Sequence, residues 1–183
     1  VTNAGGPGVI ATDALIAGGG ELAPLSEETI GSLNEILPAA WSHNNPIDIL
    51  GDAPPGLYRQ AVEIAAANPD SDGMLVILTP QDMTDATGSA EQLTGLARST
   101  GGPVLASWMG GPMVDDGTEL LQRAGIPVFA YPDVAVRMFT YLWRSADDLR
   151  LLYETPALAE ADAGAVNPER AARVIDAARA AGR

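Results

Sequence analysis

The sequence predicts an α/β fold: a doubly wound, mostly parallel sheet with helices on both faces. Three observations carry this. Apolar runs at Met74–Leu78, Val104–Trp108 and Val128–Tyr131 have the length and composition of buried strands. Segments with apolar residues at helical spacing separate them, and strands alternating with helices imply parallel pairing through right-handed crossovers. Pro or Gly then follows each run, at Thr79-Pro80, Gly110-Gly111-Pro112 and Pro132, where strand ends need punctuation.

In chain order, Val1-Thr2 reads as the stump of a first strand, and Asn3-Ala-Gly-Gly-Pro-Gly8 as the turn that opens a helix from Val9 to Ala17. A glycine turn at a helix start exposes unpaired N–H groups at the positive end of the helix dipole, a setting that suits a phosphate. Taken alone, the same pattern serves equally as a tight packing turn. Ile30, Leu33 and Leu37 mark a helix over Ser26–Leu37; Tyr58, Ala61, Val62 and Ala65 mark one over Tyr58–Ala67. Further helices are expected at Ser89–Arg98, Thr118–Ala124 and Val134–Tyr153. Beyond Tyr153 large apolar residues thin out, which reads as a linker. Asn167 then caps, and Pro168 starts, a helix reaching Ala181. The expected division is therefore one domain over 1–154, with a linker and helix over 155–183 leading to a following domain. The start inside a strand without Met, and the end at Ala181-Gly182-Arg183, read as a piece of something longer.

With 183 residues the chain is long enough for one α/β domain with a core. A formal net charge of −14, no Lys and a first Arg at Arg59 argue against nucleic acid, which needs clustered cations. The absence of Cys removes disulfides, thiolate nucleophiles and Cys-ligated metals. No apolar run reaches the roughly 18 residues of a membrane span, and no basic n-region leads the chain, so a cytoplasmic setting is expected.

The glycine loop belongs to a larger pattern. Thr2-Asn-Ala-Gly-Gly-Pro-Gly-Val-Ile-Ala-Thr-Asp13, Asn45-Pro-Ile-Asp48, Leu78-Thr-Pro-Gln-Asp-Met-Thr84 and Ala106-Ser-Trp-Met-Gly-Gly111 follow one another in that order. Together they resemble the C-terminal flavodoxin-like ligase domain of ADP-forming acyl-CoA synthetases, in the succinyl-CoA synthetase superfamily. The resemblance runs over nearly the whole chain. It implies a parent that turns a carboxylic acid, CoA and ATP into acyl-CoA, ADP and phosphate, using Mg and passing the phosphoryl group through a mobile histidine. It implies that Asn3, Gly5, Gly6 and Gly8 seat the phosphate of that phosphohistidine, with CoA-binding and ATP-grasp domains as partners. No cofactor is expected on this piece alone, nor activity; homo-oligomerisation stays open. Asn45 and Asp48 are expected in a Pro-fixed loop near the seat, with Asp48 orienting the glycine loop by accepting its N–H groups. Gln81, Thr84, Ser107, Gly110 and Gly111 would line the same cleft or contact a neighbouring domain, or serve only as strand-end turns.

His43 is the sole histidine. Its context, Trp41-Ser-His-Asn-Asn45, differs from the family's Ser-His-Thr-Gly setting, so it is expected to be a loop histidine and not the phosphorylated one. With no second His and no EF-hand spacing, no metal site is expected. No Gly-x-Ser-x-Gly elbow supports a hydrolase, and the absence of Lys removes a Walker-type lysine and Schiff bases. Two other readings stay open: a synthetase-like regulatory module fused to a protein lysine acetyltransferase, and a free-standing flavodoxin-like binding protein. The latter needs a hydroxyl-rich flavin phosphate loop, and Asn3–Gly8 offers no hydroxyl after Thr2.

Overall fold

A computed structural model describes residues 1–96, 101–154 and 168–181. Its strands β1 (Met74–Leu78), β2 (Val104–Trp108) and β3 (Val128–Phe129) pair in parallel in the order β1-β2-β3. Alternate residues divide the two faces. Val76, Leu78, Val104, Ala106 and Trp108 enter the main core, while Leu75, Ile77 and Leu105 point to the opposite side.

Two further positions widen this sheet through main-chain bonds. Val1 O accepts Ile77 N–H at 2.9 Å, and Thr2 exchanges bonds with Ile47 O (2.8 Å) and Ile49 N (2.9 Å), giving parallel bridges of Thr2 to Ile77 and to Asp48. The spatial order is therefore 47–49, 1–2, β1, β2, β3, which in chain order is the 2-1-3-4-5 of a flavodoxin-like doubly wound sheet. This corrects the reading of Asn45–Asp48 as a loop: Ile47–Ile49 is the outer sheet position. Its apolar signal is only Ile47 and Ile49 around Asp48, too short to be read as a strand.

The helices are α1 (Gly5–Ala17), α2 (Glu27–Ile36), α3 (Pro55–Ala66), α4 (Ala86–Leu93), α5 (Asp115–Arg123), α6 (Pro132–Tyr153) and α7 (Pro168–Ala180). Most starts have a chemical cause. Ser26 Oγ accepts Thr29 N–H to cap α2, Asp85 accepts Gly88 N–H to cap α4, and Pro55 begins α3. The starts at Pro55 and Asp85 lie upstream of the first apolar repeats, so α3 and α4 begin before the expected Tyr58 and Ser89; α5, with no side-chain cap, also begins early, at Asp115 instead of Thr118. Leu33, Trp41, Tyr58, Ala61, Val62, Leu93 and Leu121 bury on the core face with the α2–α5 side of the sheet. On the other face lie α1 and the first half of α6, which buries Ala135, Val136 and Thr140.

The chain divides into two compact units, Val1–Arg144 and Ser145–Arg183. The second holds the last turns of α6 and helix α7, whose Val174 and Ile175 are exposed. The expected linker and the Asn167 cap lie outside the described residues. Among the described residues no helix is long and apolar enough to cross a membrane.

Candidate functional site

In a doubly wound sheet the crevice for a ligand opens at the carboxyl ends of the strands where the connections diverge. Here that point lies between the first strand, ending at Thr2, and β1, ending at Leu78. Asn3 spans it: its Nδ2 donates to Thr79 O at 2.9 Å, and its Oδ1 accepts Thr79 N–H at 2.8 Å. The side chain is 2% exposed with both ends of the amide engaged. Asn3 was expected to seat phosphate; its side chain instead straps two strand ends together.

Helix α1 starts at this crevice, four residues earlier than the apolar pattern indicated, so Gly5–Gly8 forms its first turns and not a preceding loop. Ala4 is the N-cap and supplies no side-chain acceptor. Its N–H bonds to Thr2 Oγ1 at 3.1 Å. Pro7 has no N–H to give, and Gly8 N–H bonds back to Ala4 O at 3.4 Å. Among the described residues, the amides of Gly5 and Gly6 are the unpaired ones in this first turn. The α1 first turn carries no acidic residue, and Arg144 donates to Gly18 O at the far end at 2.9 Å, so both ends of the helix are compatible with its dipole.

The three glycines thus serve different ends. A side chain on Gly6 would meet nothing within 4 Å, so this backbone is open to an approaching group. A Cβ on Gly5 would stand 3.2 Å from Asp48 Oδ2. Gly8 is buried, and a Cβ there would stand 3.2 Å from Thr2 Cγ2 and 3.4 Å from Pro46 Cβ. Gly8 is a close-packing glycine whose N–H is spent inside the helix, which corrects its expected place among the anion donors.

Asp48 does not accept from the glycine loop as expected. Its Oδ1 takes the N–H of Leu50 at 3.0 Å, in a turn where Leu50 has φ 72, and only Oδ2 lies beside Gly5. The Asp48 carboxylate also adds to burial in holding the Tyr58 hydroxyl well above the usual phenol range. Tyr58 stays protonated and donates to Ile77 O, a structural bond. Asn45 turns away from the seat, donating from Nδ2 to Ala23 O at 2.9 Å.

Gln81 and Thr84 do come to the seat's edge, as links between loops. Thr84 Oγ1 accepts Gln81 N–H at 3.1 Å and donates to Gly51 O at 3.3 Å, while Gln81 Nε2 donates to Asn3 O at 3.3 Å. Gly51 leaves the notch that Gln81 fills. Ser107 is fully buried in β2 with its hydroxyl unpartnered, so it lines no open cleft. Gly110 and Gly111 have φ 133 and 55, and a Cβ on Gly110 would stand 2.7 Å from Pro80 Cγ; their part is the turn after β2.

His43 lies outside this constellation. Its Nδ1 faces Asn34 Oδ1 at 3.1 Å and its Nε2 faces Ala39 O at 3.0 Å, with the ring 4.7 Å from that of Trp41. Among the described residues no group of three or more His, Cys, Asp or Glu side chains is placed to hold a metal. A cavity of about 480 Å³ also lies on the α1 and α6 face, lined by Leu15, Leu75, Leu105, Val136 and Phe139. Thr12, Asn45, Asn68 and Thr140 on its wall are bonded within the protein, while Glu21, Asp70 and Asp72 also line it and bring carboxylates to an otherwise largely apolar wall.

The chain is similar to known proteins over most of its length. Residues 1–150 match the sequence profile of the Ligase-CoA domain. Over 144 residues the chain is 39% identical to the ADP-forming acetate–CoA ligase I of Archaeoglobus fulgidus, covering 79% of this chain and 20% of that protein. The alpha subunit of the ADP-forming acetate–CoA ligase II of Pyrococcus furiosus is 33% identical, over 76% of this chain and 32% of the subunit. Among solved structures, the dinucleotide-forming acetyl-coenzyme A synthetase 1 of Candidatus Korarchaeum cryptofilum, in complex with phosphate and ADP, superposes with a TM-score of 0.78 at 29% identity. That match covers 86% of this chain and 34% of the other. The chain thus spans a fifth to a third of the length of these relatives.

Proposed function

The chain belongs to the Ligase-CoA domain family, and from that footing we propose that it is the phosphate-seating domain of an ADP-forming acyl-CoA synthetase. The whole protein would convert a carboxylic acid, CoA and ATP into acyl-CoA, ADP and phosphate, with Mg on the nucleotide. The phosphoryl group would rest on a histidine outside this chain while it travels between the CoA-binding and ATP-grasp domains. This domain's part is to hold that phosphate, in a protein we place in the cytoplasm. The relatives named above are CoA ligases, which favours this reading over the acetyltransferase module and the free-standing flavodoxin-like binding protein.

One observation carries the proposal: the paired, partnerless N–H groups of Gly5 and Gly6 at the start of α1, in the crevice where the sheet's connections diverge. Main-chain donors suit a phosphoryl group in transit. They are fixed before the charge arrives and do not change protonation as it leaves. Gly6 leaves the approach open, and the α1 dipole favours the dianion. Among the described residues no Arg side chain bonds to this turn, and the sequence has no Lys, so this domain's part of the seat would act through oriented dipoles rather than a fixed cation.

The test uses the full-length protein with an acid, CoA and ATP, following nucleotide products by chromatography. ADP and phosphate formed with acyl-CoA, and lost in Gly6→Val, are the expected results. AMP and pyrophosphate as products, or undiminished turnover in Gly6→Val, would contradict the assignment.

A further inference from the structure

The seat's geometry depends on one peptide group, that between Asn3 and Ala4, and both of its ends are fixed. Its N–H, on Ala4, goes to Thr2 Oγ1 at 3.1 Å, and its C=O, on Asn3, accepts from Gln81 Nε2 at 3.3 Å. The next peptide follows from it. Ala4 O accepts from Thr2 Oγ1 at 2.8 Å and from Gly8 N–H at 3.4 Å, so the Gly5 N–H on the opposite side of that planar unit points out of the helix start. Rotation of the Asn3–Ala4 peptide would swing the Gly5 and Gly6 donors away.

Gln81 is exposed and on a strand-end loop, so an ordinary glutamine there would sample many rotamers. Two features restrain it. Its own N–H is held by Thr84 Oγ1, which also donates to Gly51 O, tying the loop after β1 to the loop after Ile47–Ile49. Its amide head fills the space where Gly51 lacks a side chain, because a Cβ on Gly51 would overlap the Gln81 Oε1, Cδ and Nε2. Gly51 has no positive φ to explain its being glycine, so the notch is what its missing side chain provides.

We propose that Gln81, lodged in the Gly51 notch, is a positioning residue that clamps the Asn3–Ala4 peptide and so aims the Gly5 and Gly6 donors at the anion. This rests on the seat reading above. The clamp touches neither the helix interior nor the sheet, so its loss should loosen the donors while leaving the fold intact.

The experiment is an amide NMR titration of this chain with inorganic phosphate, run on the parent sequence, Gln81→Ala, Gly51→Ala, the double variant and Gly6→Val. Hydrogen exchange at the Ala4 amide and the melting temperature are recorded alongside. In the parent sequence Gly5 and Gly6 amides should move saturably. Gln81→Ala and Gly51→Ala should each weaken phosphate roughly fivefold or more and speed Ala4 exchange, with melting unchanged. The double variant should be no worse than either single, because both remove one clamp. If Gly6→Val abolishes binding but Gln81→Ala and Gly51→Ala leave affinity and Ala4 exchange unchanged, the seat stands and the clamp is wrong. If phosphate moves neither Gly5 nor Gly6 in the parent sequence, the seat reading fails and the positioning role fails with it.

Discussion

Gly6 and Gly8 sit two residues apart in the same helical turn, yet their replacement should have opposite consequences. At Gly6 a Cβ meets nothing within 4 Å and φ is not positive, so Gly6→Val meets no clash and no strain. Helix propensity even favours the change, by at most about 0.5 kcal/mol. The valine methyl groups would occupy the space that an anion on the Gly5 and Gly6 amides must enter. Losing one hydrogen bond to a charged group costs about 1.5–3 kcal/mol, or about 10- to 150-fold in affinity. At Gly8 the Cβ already stands 3.2 Å from Thr2 Cγ2 and 3.4 and 3.5 Å from Pro46 Cβ and Cγ. The extra methyls of Gly8→Val must push into that wall, an overpacking of about 1–3 kcal/mol. For a domain of this size each kcal/mol lowers Tm by about 2–4 °C. Scanning calorimetry and phosphate titration on both variants decide the matter. Gly6→Val should keep its Tm and lose phosphate; Gly8→Val should melt several degrees lower. If Gly6→Val unfolds as Gly8→Val does, or binds phosphate as the parent does, the division of labour among the glycines is wrong.

Other consequences are as direct. In the full-length protein His43→Ala should leave labelling from radioactive ATP intact while lowering domain stability by about 1 kcal/mol, through its bonds to Asn34 and Ala39; lost labelling would place His43 in the reaction. Among the described residues the last buried side chain is Thr140, so truncation after Tyr153 should cost no more than about 1–2 kcal/mol. Unfolding of the truncated form at room temperature would refute that boundary.

What the sequence made legible was whatever short-range chemistry dictates. Met74–Leu78 and Val104–Trp108 form strands over the expected bounds because short runs, all apolar in the first and apolar but for Ser107 in the second, have no better place between turn signals than a sheet centre. Leu33, Tyr58, Ala61 and Val62 bury as their helical spacing requires. Ile47–Ile49 was missed because its place is fixed by Thr2, some 45 positions away in the chain, through bonds that leave no local periodicity. The seat was legible to the level of its loop and no further. That Gly8 spends its N–H inside the helix, or that the Asn3 amide straps Thr79, depends on where α1 begins and which strand lies beside it. The notch at Gly51 was not legible for the same reason: a glycine that makes room for a side chain 30 residues on carries no local mark of that role.

The central claim is tested most directly by a crystal structure of this chain grown with phosphate at high concentration. The account predicts an anion bound by both the Gly5 and Gly6 N–H groups, at about 2.7–3.1 Å, the range of charge-assisted bonds, with the Asn3–Thr79 strap and the Gln81 contact to Asn3 O retained. An ordered first turn of α1 with no anion on it, or phosphate bound elsewhere while the Gly5 and Gly6 amides face solvent, would contradict it.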